Sequence, residues 1–301
     1  MMKNTDVKKF GRPRLLVLGC GDVGMRLLPL VRDRFRVFAL TSQPGRREVL
    51  RAAGAVPLVA DLDRPETLGR LARLASYIVH LAPPQAEGGT DRRTRNLTAI
   101  LPEGSTLVYV STTGVYGDCG GQRFDETRPV RPCNPRAVRR VDAEQVLRRW
   151  ARRSGSRLGI LRVPGIYAAD RLPVERLQKG TPALLADEDV YTNHVHADDL
   201  ARIVARALFR LQPNRVYHAV DDSDMKMGDY FDAVADRFGL PRPARMPRAA
   251  LAQAVSPVLL SFMSESRRLD NRRLKAELGV RLQFPTVHSA MASMTGAPVR
   301  T

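Results

Sequence analysis

Gly19-Cys20-Gly21-Asp22-Val23-Gly24 spaces three glycines as GxGxxG, directly after the apolar run 14–19. In that context the spacing is a dinucleotide cradle. Gly19 permits the tight turn, Gly21 lets the backbone approach a pyrophosphate, and Gly24 allows helix to pack closely on strand. The helix that starts here presents free N–H groups to the anion, which brings Asp22 and Val23 into the same site. About twenty residues on stand Thr41, Ser42, Arg46 and Arg47, where an NAD site would carry a carboxylate for the ribose 2′-OH. Two hydroxyls and two guanidiniums suit a 2′-phosphate instead, so the residues point to NADP, with NAD the alternative. The string His194-Val-His196-Ala-Asp198-Asp199 could be read as metal ligands, but it fits better as a helix start with His196 packing locally. Cys20, Cys119 and Cys133 form no CxxC pair, and they read as spectator thiols in a reduced compartment.

Elements must hold these groups in place. Apolar runs at 14–19, 35–41, 55–60, 76–82, 105–111, 157–163 and 215–220 read as strands. Helical spacing falls at 22–33, 45–53, 64–74, 91–101, 136–153, 197–210, 227–238, 249–263 and 270–278. The alternation predicts α/β architecture: a doubly wound parallel sheet with a small, mostly helical C-terminal lobe. The expected organisation is a flexible tail over 1–13 and a dinucleotide-binding Rossmann domain over 14–168. An insertion follows over 169–196, then a return to the sheet over 197–226 and a substrate lobe over 227–301. The loop 112–135 is long enough to suggest function.

The 301 residues carry 49 Lys+Arg against 31 Asp+Glu, a formal net charge of +18. Only six of the 49 are lysines, and the arginine doublets are scattered without interleaved aromatics or a DNA-reading spacing. The charge therefore reads as a solvated surface that attracts anionic ligands rather than as a nucleic-acid interface. No apolar run approaches the roughly 20 residues of a membrane helix, and MMKNTDVKKF lacks the apolar core of a secretory signal. A cytoplasmic protein is expected.

Seven local motifs, in order, resemble the extended short-chain dehydrogenase/reductases, also called the NAD-dependent epimerase/dehydratase family. They are the Gly19–Gly24 turn with Asp61-Leu62, Leu81-Ala82-Pro83-Pro84, Val110-Ser-Thr-Thr-Gly-Val-Tyr-Gly117, Asp125-Glu126-Thr127-Arg128-Pro129, Leu161-Arg-Val-Pro-Gly-Ile-Tyr167, Asn193–Leu200 and Val216–Asp221. The resemblance implies that Asp61 and Leu62 lie at the adenine. Leu81, Ala82 and Pro83 would line the dinucleotide, and Pro164 and Ile166 would pack near the nicotinamide. It also implies a small-molecule substrate, and a homodimer built on the 136–153 helix is one arrangement the family uses.

The family's catalytic set is a Ser or Thr plus Tyr-x-x-x-Lys. Thr112 fits the hydroxyl role. None of the seven tyrosines is followed four residues later by lysine. Counting back from Glu144 puts Arg140 at the lysine position and Arg136 at the tyrosine position. An arginine stays protonated and cannot shuttle a proton. Arg140 could supply charge and ribose contacts, and Tyr116 is the nearest candidate acid, with a packing role as its plainer reading. Two functions follow: an NAD(P)-dependent oxidoreductase or epimerase-like enzyme of an atypical branch, acting on a carbonyl or nucleotide-sugar-like substrate, or a non-catalytic NADP(H) sensor.

Overall fold

The computed structural model describes residues 11–294, so residues 1–10 of the expected tail and 295–301 of the expected lobe lie outside the described residues. Seven strands form one parallel sheet: β1 (Arg14–Leu18), β2 (Arg36–Thr41), β3 (Val56–Val59), β4 (Tyr77–His80), β5 (Thr106–Thr112), β6 (Arg157–Val163) and β7 (Arg215–His218). Their spatial order is β7-β6-β5-β4-β1-β2-β3. Leu16 of β1 pairs with Phe38 on one side and Ile78 on the other, so the order reverses between β1 and β4. In a doubly wound sheet that reversal opens a crevice beyond the strands' carboxyl ends, which is where such folds bind ligands.

Near-continuous Val, Leu and Ile in β1, β5 and β6 follow from burial on both faces. On one face α1 (Asp22–Val31) packs against α6 (Ala197–Arg210), with Leu27, Leu28 and Val31 meeting Leu200, Val204 and Leu208 in one cluster. The other face is covered by α3 (Arg92–Thr98) and α4 (Pro135–Arg153) through Leu97, Leu147 and Trp150. The apolar side of α4 therefore faces the core. Asn134 caps this helix, its side chain accepting from Ala137 N at 2.9 Å, and Pro135 begins it.

Several elements differ from the sequence reading. The stretch expected as a helix over 64–74 is a 3-10 helix over Pro65–Leu71, followed by Arg73 at φ 55°. The apolar helix expected over 249–263 is two helices, Arg248–Ala254 and Pro257–Phe262. Pro257 has no N–H to continue a helix, and the Ser256 hydroxyl restarts it by accepting from Leu259 N. The long loop contains a 3-10 turn at Thr113–Tyr116 and a short strand, Arg123–Phe124, paired with Arg268–Leu269. The segment that follows β6 pairs Gly165–Tyr167 with His194–His196. A second core gathers Tyr167, Leu184, Phe231, Val234, Leu251 and Met291, beside the carboxyl ends of the sheet. Among the described residues no helix is long and apolar enough to cross a membrane.

Candidate active site

The turn after β1 is built by close approach. Leu18 O accepts from both Leu81 N and Ala82 N, at 2.9 and 3.1 Å, which draws the end of β4 against the glycines. Gly19 sits at φ +76°, and a Cβ there would stand 2.6 Å from Ala82 N. A Cβ on Gly21 would meet nothing within 4 Å, so its absence leaves an open cradle at the start of the ten-residue α1. This is the space a pyrophosphate needs, and the N-terminal N–H groups of α1 are the donors it needs. Asp22 lies in that first turn. Burial raises its pKa, but Arg171 at 2.8 Å and Arg26 at 3.0 Å outweigh burial and hold the carboxyl below its ordinary value.

Two cavities meet at this turn. The one beside β2, about 290 Å³, is lined by Gly19, Gly21, Thr41, Ser42 and Arg46, with Asp61, Leu62, Ala82 and Pro83 across from them. Arg46 donates to Cys20 O at 2.8 Å, so its guanidinium leans over the glycine turn. Arg93 also lines this cavity, gripping Asp63 through two hydrogen bonds and Pro83 O at 3.0 Å. The second cavity, about 310 Å³, continues past Asp22, Val23, Gly24 and Leu81 to Thr112, Arg140, Pro164 and Ile166. The residues expected to hold a dinucleotide thus face two adjoining hollows, with the exception of Arg47, which lines a separate hollow with Pro57, Leu58 and Arg70, so a single guanidinium, that of Arg46, meets the expected 2′-phosphate position. Sequence reasoning missed Gln43, Arg93 and Arg171, because nothing in their local pattern distinguishes them from surface polar residues, and it passed over Ser111 in favour of its neighbour Thr112 in the same motif.

A third cavity of about 280 Å³ shares Thr112, Arg140 and Pro164 with the second. Thr112 Oγ1 accepts from Gly114 N at 3.2 Å, which leaves its own proton to donate. Arg140 is fixed by Tyr109 OH at 3.0 Å and Val110 O at 2.9 Å. Arg136, Tyr191, Asn193, Phe262, Glu265 and Arg267 also line this cavity. They come from three distant stretches of chain, so no local spacing announced them.

Tyr116 is placed elsewhere. It is 1% exposed and lines none of these cavities, which corrects the expectation that it stands ready as an acid. Burial pushes its phenol up to about 12, against the pull of Arg162. Arg162 Nη1 donates to the Tyr116 oxygen at 2.6 Å, and that hydroxyl lies 2.6 Å from His218 Nε2. His218 Nδ1 faces Asp270 O, so Nδ1 carries the proton and Nε2 accepts from Tyr116. Burial pushes this histidine down to about 3. Arg162 also grips Glu144, which accepts from Ser111 Oγ at 2.7 Å. The tyrosine is thus one link in a buried chain that ties the long loop to the sheet. His194 and His196 are likewise built in. The His194 ring lies 4.3 Å from that of Tyr230, and His196 caps α6 by accepting from Asp198 N.

Residues 15–219 match the family described as NAD dependent epimerase/dehydratase. A dTDP-glucose 4,6-dehydratase of Mycobacterium tuberculosis is 26% identical over 280 residues, covering 75% of this chain and 82% of that protein. A conserved protein of unknown function from Silicibacter pomeroyi superposes with a TM-score of 0.76 at 28% identity, over 93% of this chain and 97% of its own. The Thermus thermophilus UDP-glucose 4-epimerase in complex with NAD shares the fold, with a TM-score of 0.70 at 23% identity over 94% of this chain and 100% of its own.

Proposed function

This chain belongs to the NAD-dependent epimerase/dehydratase family, and on that footing we propose that it is an NAD(P)-dependent oxidoreductase that prefers NADP and works without a Tyr-Lys pair. The observation that carries this reading is the shared wall: Thr112, Arg140 and Pro164 border both the glycine-turn cavity and the third cavity. A dinucleotide laid along the first two cavities would end where a substrate in the third begins. Gly21 and the start of α1 would take the pyrophosphate, and Thr41, Ser42 and Arg46 a 2′-phosphate. Bound there, the nicotinamide supplies or accepts a hydride.

The chain's own residues then divide the remaining work. The Thr112 hydroxyl, its oxygen already occupied by Gly114 N, donates to the substrate oxygen. Arg140, held by the Tyr109 hydroxyl and the Val110 carbonyl, offers fixed positive charge to that oxygen as negative charge develops on it. A guanidinium stabilises charge without accepting a proton, so the proton is exchanged with water reaching the open third cavity. Met227, Ser261 and Phe262, from C-terminal helices distant from Thr112 in sequence, line the third cavity and would form the substrate's other wall.

Calorimetric titration with NADP⁺ and NAD⁺ tests the reading. Tighter NADP⁺ binding is expected, and Arg46→Ala should erase about 10–100-fold of the preference while changing NAD⁺ affinity little, the loss of one charge-assisted phosphate contact. Binding of neither dinucleotide would refute it.

A further inference from the structure

The third cavity has a composition that the loss of the Tyr-Lys pair alone does not explain. Three arginines line it, against a single carboxylate, Glu265. That carboxylate is already committed: one oxygen takes Arg267 Nη1 and the other takes Asn134 Nδ2 at 3.3 Å. Arg267 is further anchored by Gly117 O at 3.0 Å. Arg140 is held on its own side by Tyr109 and Val110. Arg136 differs from both. Its guanidinium lies over the Phe262 ring, 4.7 Å from the centroid, with Ser261 Oγ at 3.5 Å, and it enters no ion pair among the described residues. It is a cation set over an aromatic ring at the edge of a hollow, with no carboxylate paired to it among the described residues and with donors beyond the one that Ser261 takes available to an anion.

Size narrows the ligand further. The cavity, about 280 Å³, is no larger than either of the two hollows that would together take a dinucleotide. A sugar carried on a nucleoside diphosphate is comparable in extent to both hollows together. A small organic acid or monophosphate fits one.

Resting on the oxidoreductase reading above, we propose that Arg136 is a specificity residue and that the substrate is a small carboxylate or phosphate ester bearing a carbonyl or hydroxyl group. Its anionic group sits on Arg136 and its reacting oxygen on Thr112 and Arg140. The residue at the position where the family carries its proton donor has become the anchor for the substrate's charge.

The test uses simple anions as probes. The full chain, with and without saturating NADP⁺, is titrated with malonate, inorganic phosphate, uncharged dimethyl malonate and UDP-glucose. Malonate or phosphate should bind in both states and dimethyl malonate should not. Arg136→Gln should weaken the anion at least about tenfold, and Arg136→Lys should recover part of the loss. Dinucleotide affinity should stay unchanged in both variants. Absence of anion binding, anion binding indifferent to Arg136→Gln, or tight UDP-glucose binding that survives the substitution would each overturn the proposal. Failure of NADP⁺ to bind, seen in the titration without anions, would instead sink the oxidoreductase reading and leave the anion result to stand separately.

Discussion

Replacing Glu144 by glutamine would attack the most deeply buried ion pair among the described residues, which lies beneath the site. Its side chain and that of Arg162 are 5% and 6% exposed. Oε1 accepts from Ser111 Oγ at 2.7 Å and Arg162 Nε at 3.1 Å, while Oε2 accepts from Arg162 Nη2 at 2.7 Å. A glutamine can keep its carbonyl in the doubly accepting position, but its NH₂ then points at Nη2–H, donor against donor. Arg162 is left as a buried cation without a counter-charge. Removing one partner of a buried pair costs about 3–5 kcal/mol. At about 2–3 °C per kcal/mol for a chain of this size, the melting temperature should fall by roughly 6–15 °C. Scanning calorimetry and urea unfolding read the change. The double variant Glu144→Leu with Arg162→Met removes both charges together, and it should melt above the single variant despite the larger substitution, because no buried charge is orphaned. A loss under about 1 kcal/mol in Glu144→Gln, or a double variant less stable than the single, would refute the account of this pair as a charge that only its partner makes tolerable.

Three further outcomes follow from the geometry. Gly19→Ala should destabilise the protein by about 1–3 kcal/mol without any ligand, because the new Cβ meets the Ala82 backbone at φ +76°; Gly21→Ala, whose Cβ enters open space, should leave the melting temperature alone and abolish dinucleotide binding in calorimetry. Tyr116→Phe should cost about 1–3 kcal/mol through the orphaned donor of Arg162, yet leave the pH dependence of turnover as it was, whereas a shift in that profile would restore the tyrosine as an acid. Burial pushes the Asp221 carboxyl up from 3.8 to about 7. Its folded form therefore holds a proton that the unfolded chain releases, so its contribution is complete below about pH 4 and is lost as pH rises through 7. Asp221→Asn should remove that slope, gaining of the order of 2–4 kcal/mol relative to the parent between pH 4 and pH 8, measured by urea unfolding across the range.

Much of the glycine-turn site was legible in the chain because it is local. The glycine spacing, the strand before it and the helix after it lie within 20 consecutive residues, and a turn of three glycines has few other uses in that context. The inner strands of the sheet could be read one by one, since burial on both faces writes itself as apolar runs, whereas the edge strand Val56–Val59 has no fully buried residue and was legible from its apolar composition alone. The absence of a carboxylate after β2 and of a lysine four residues beyond any tyrosine were also facts of sequence alone. Where the reading slipped, it slipped in helices: Pro257 cuts what periodicity made one helix, and the stretch 65–71 folds as a 3-10 helix where its spacing suggested an α-helix.

The third cavity belongs to tertiary structure. Arg136, Tyr191 and Glu265 are separated by more than fifty residues at each step, and each looks like an ordinary surface residue in its own neighbourhood. Only the pairing of Arg123–Phe124 with Arg268–Leu269, and the packing of the C-terminal helices beside the sheet, bring them to Thr112. Tyr116 teaches the converse. Its motif and its place after β5 speak for chemistry, but whether a side chain faces solvent or core is decided by what packs over it. Here Phe124, Arg162 and His218 close around the ring. Sequence determined the cradle and the cofactor class it suits, because those depend on backbone conformation over a few residues. Which charges line the third cavity was decided by the fold, because charge complementarity is a property of space and not of order along the chain.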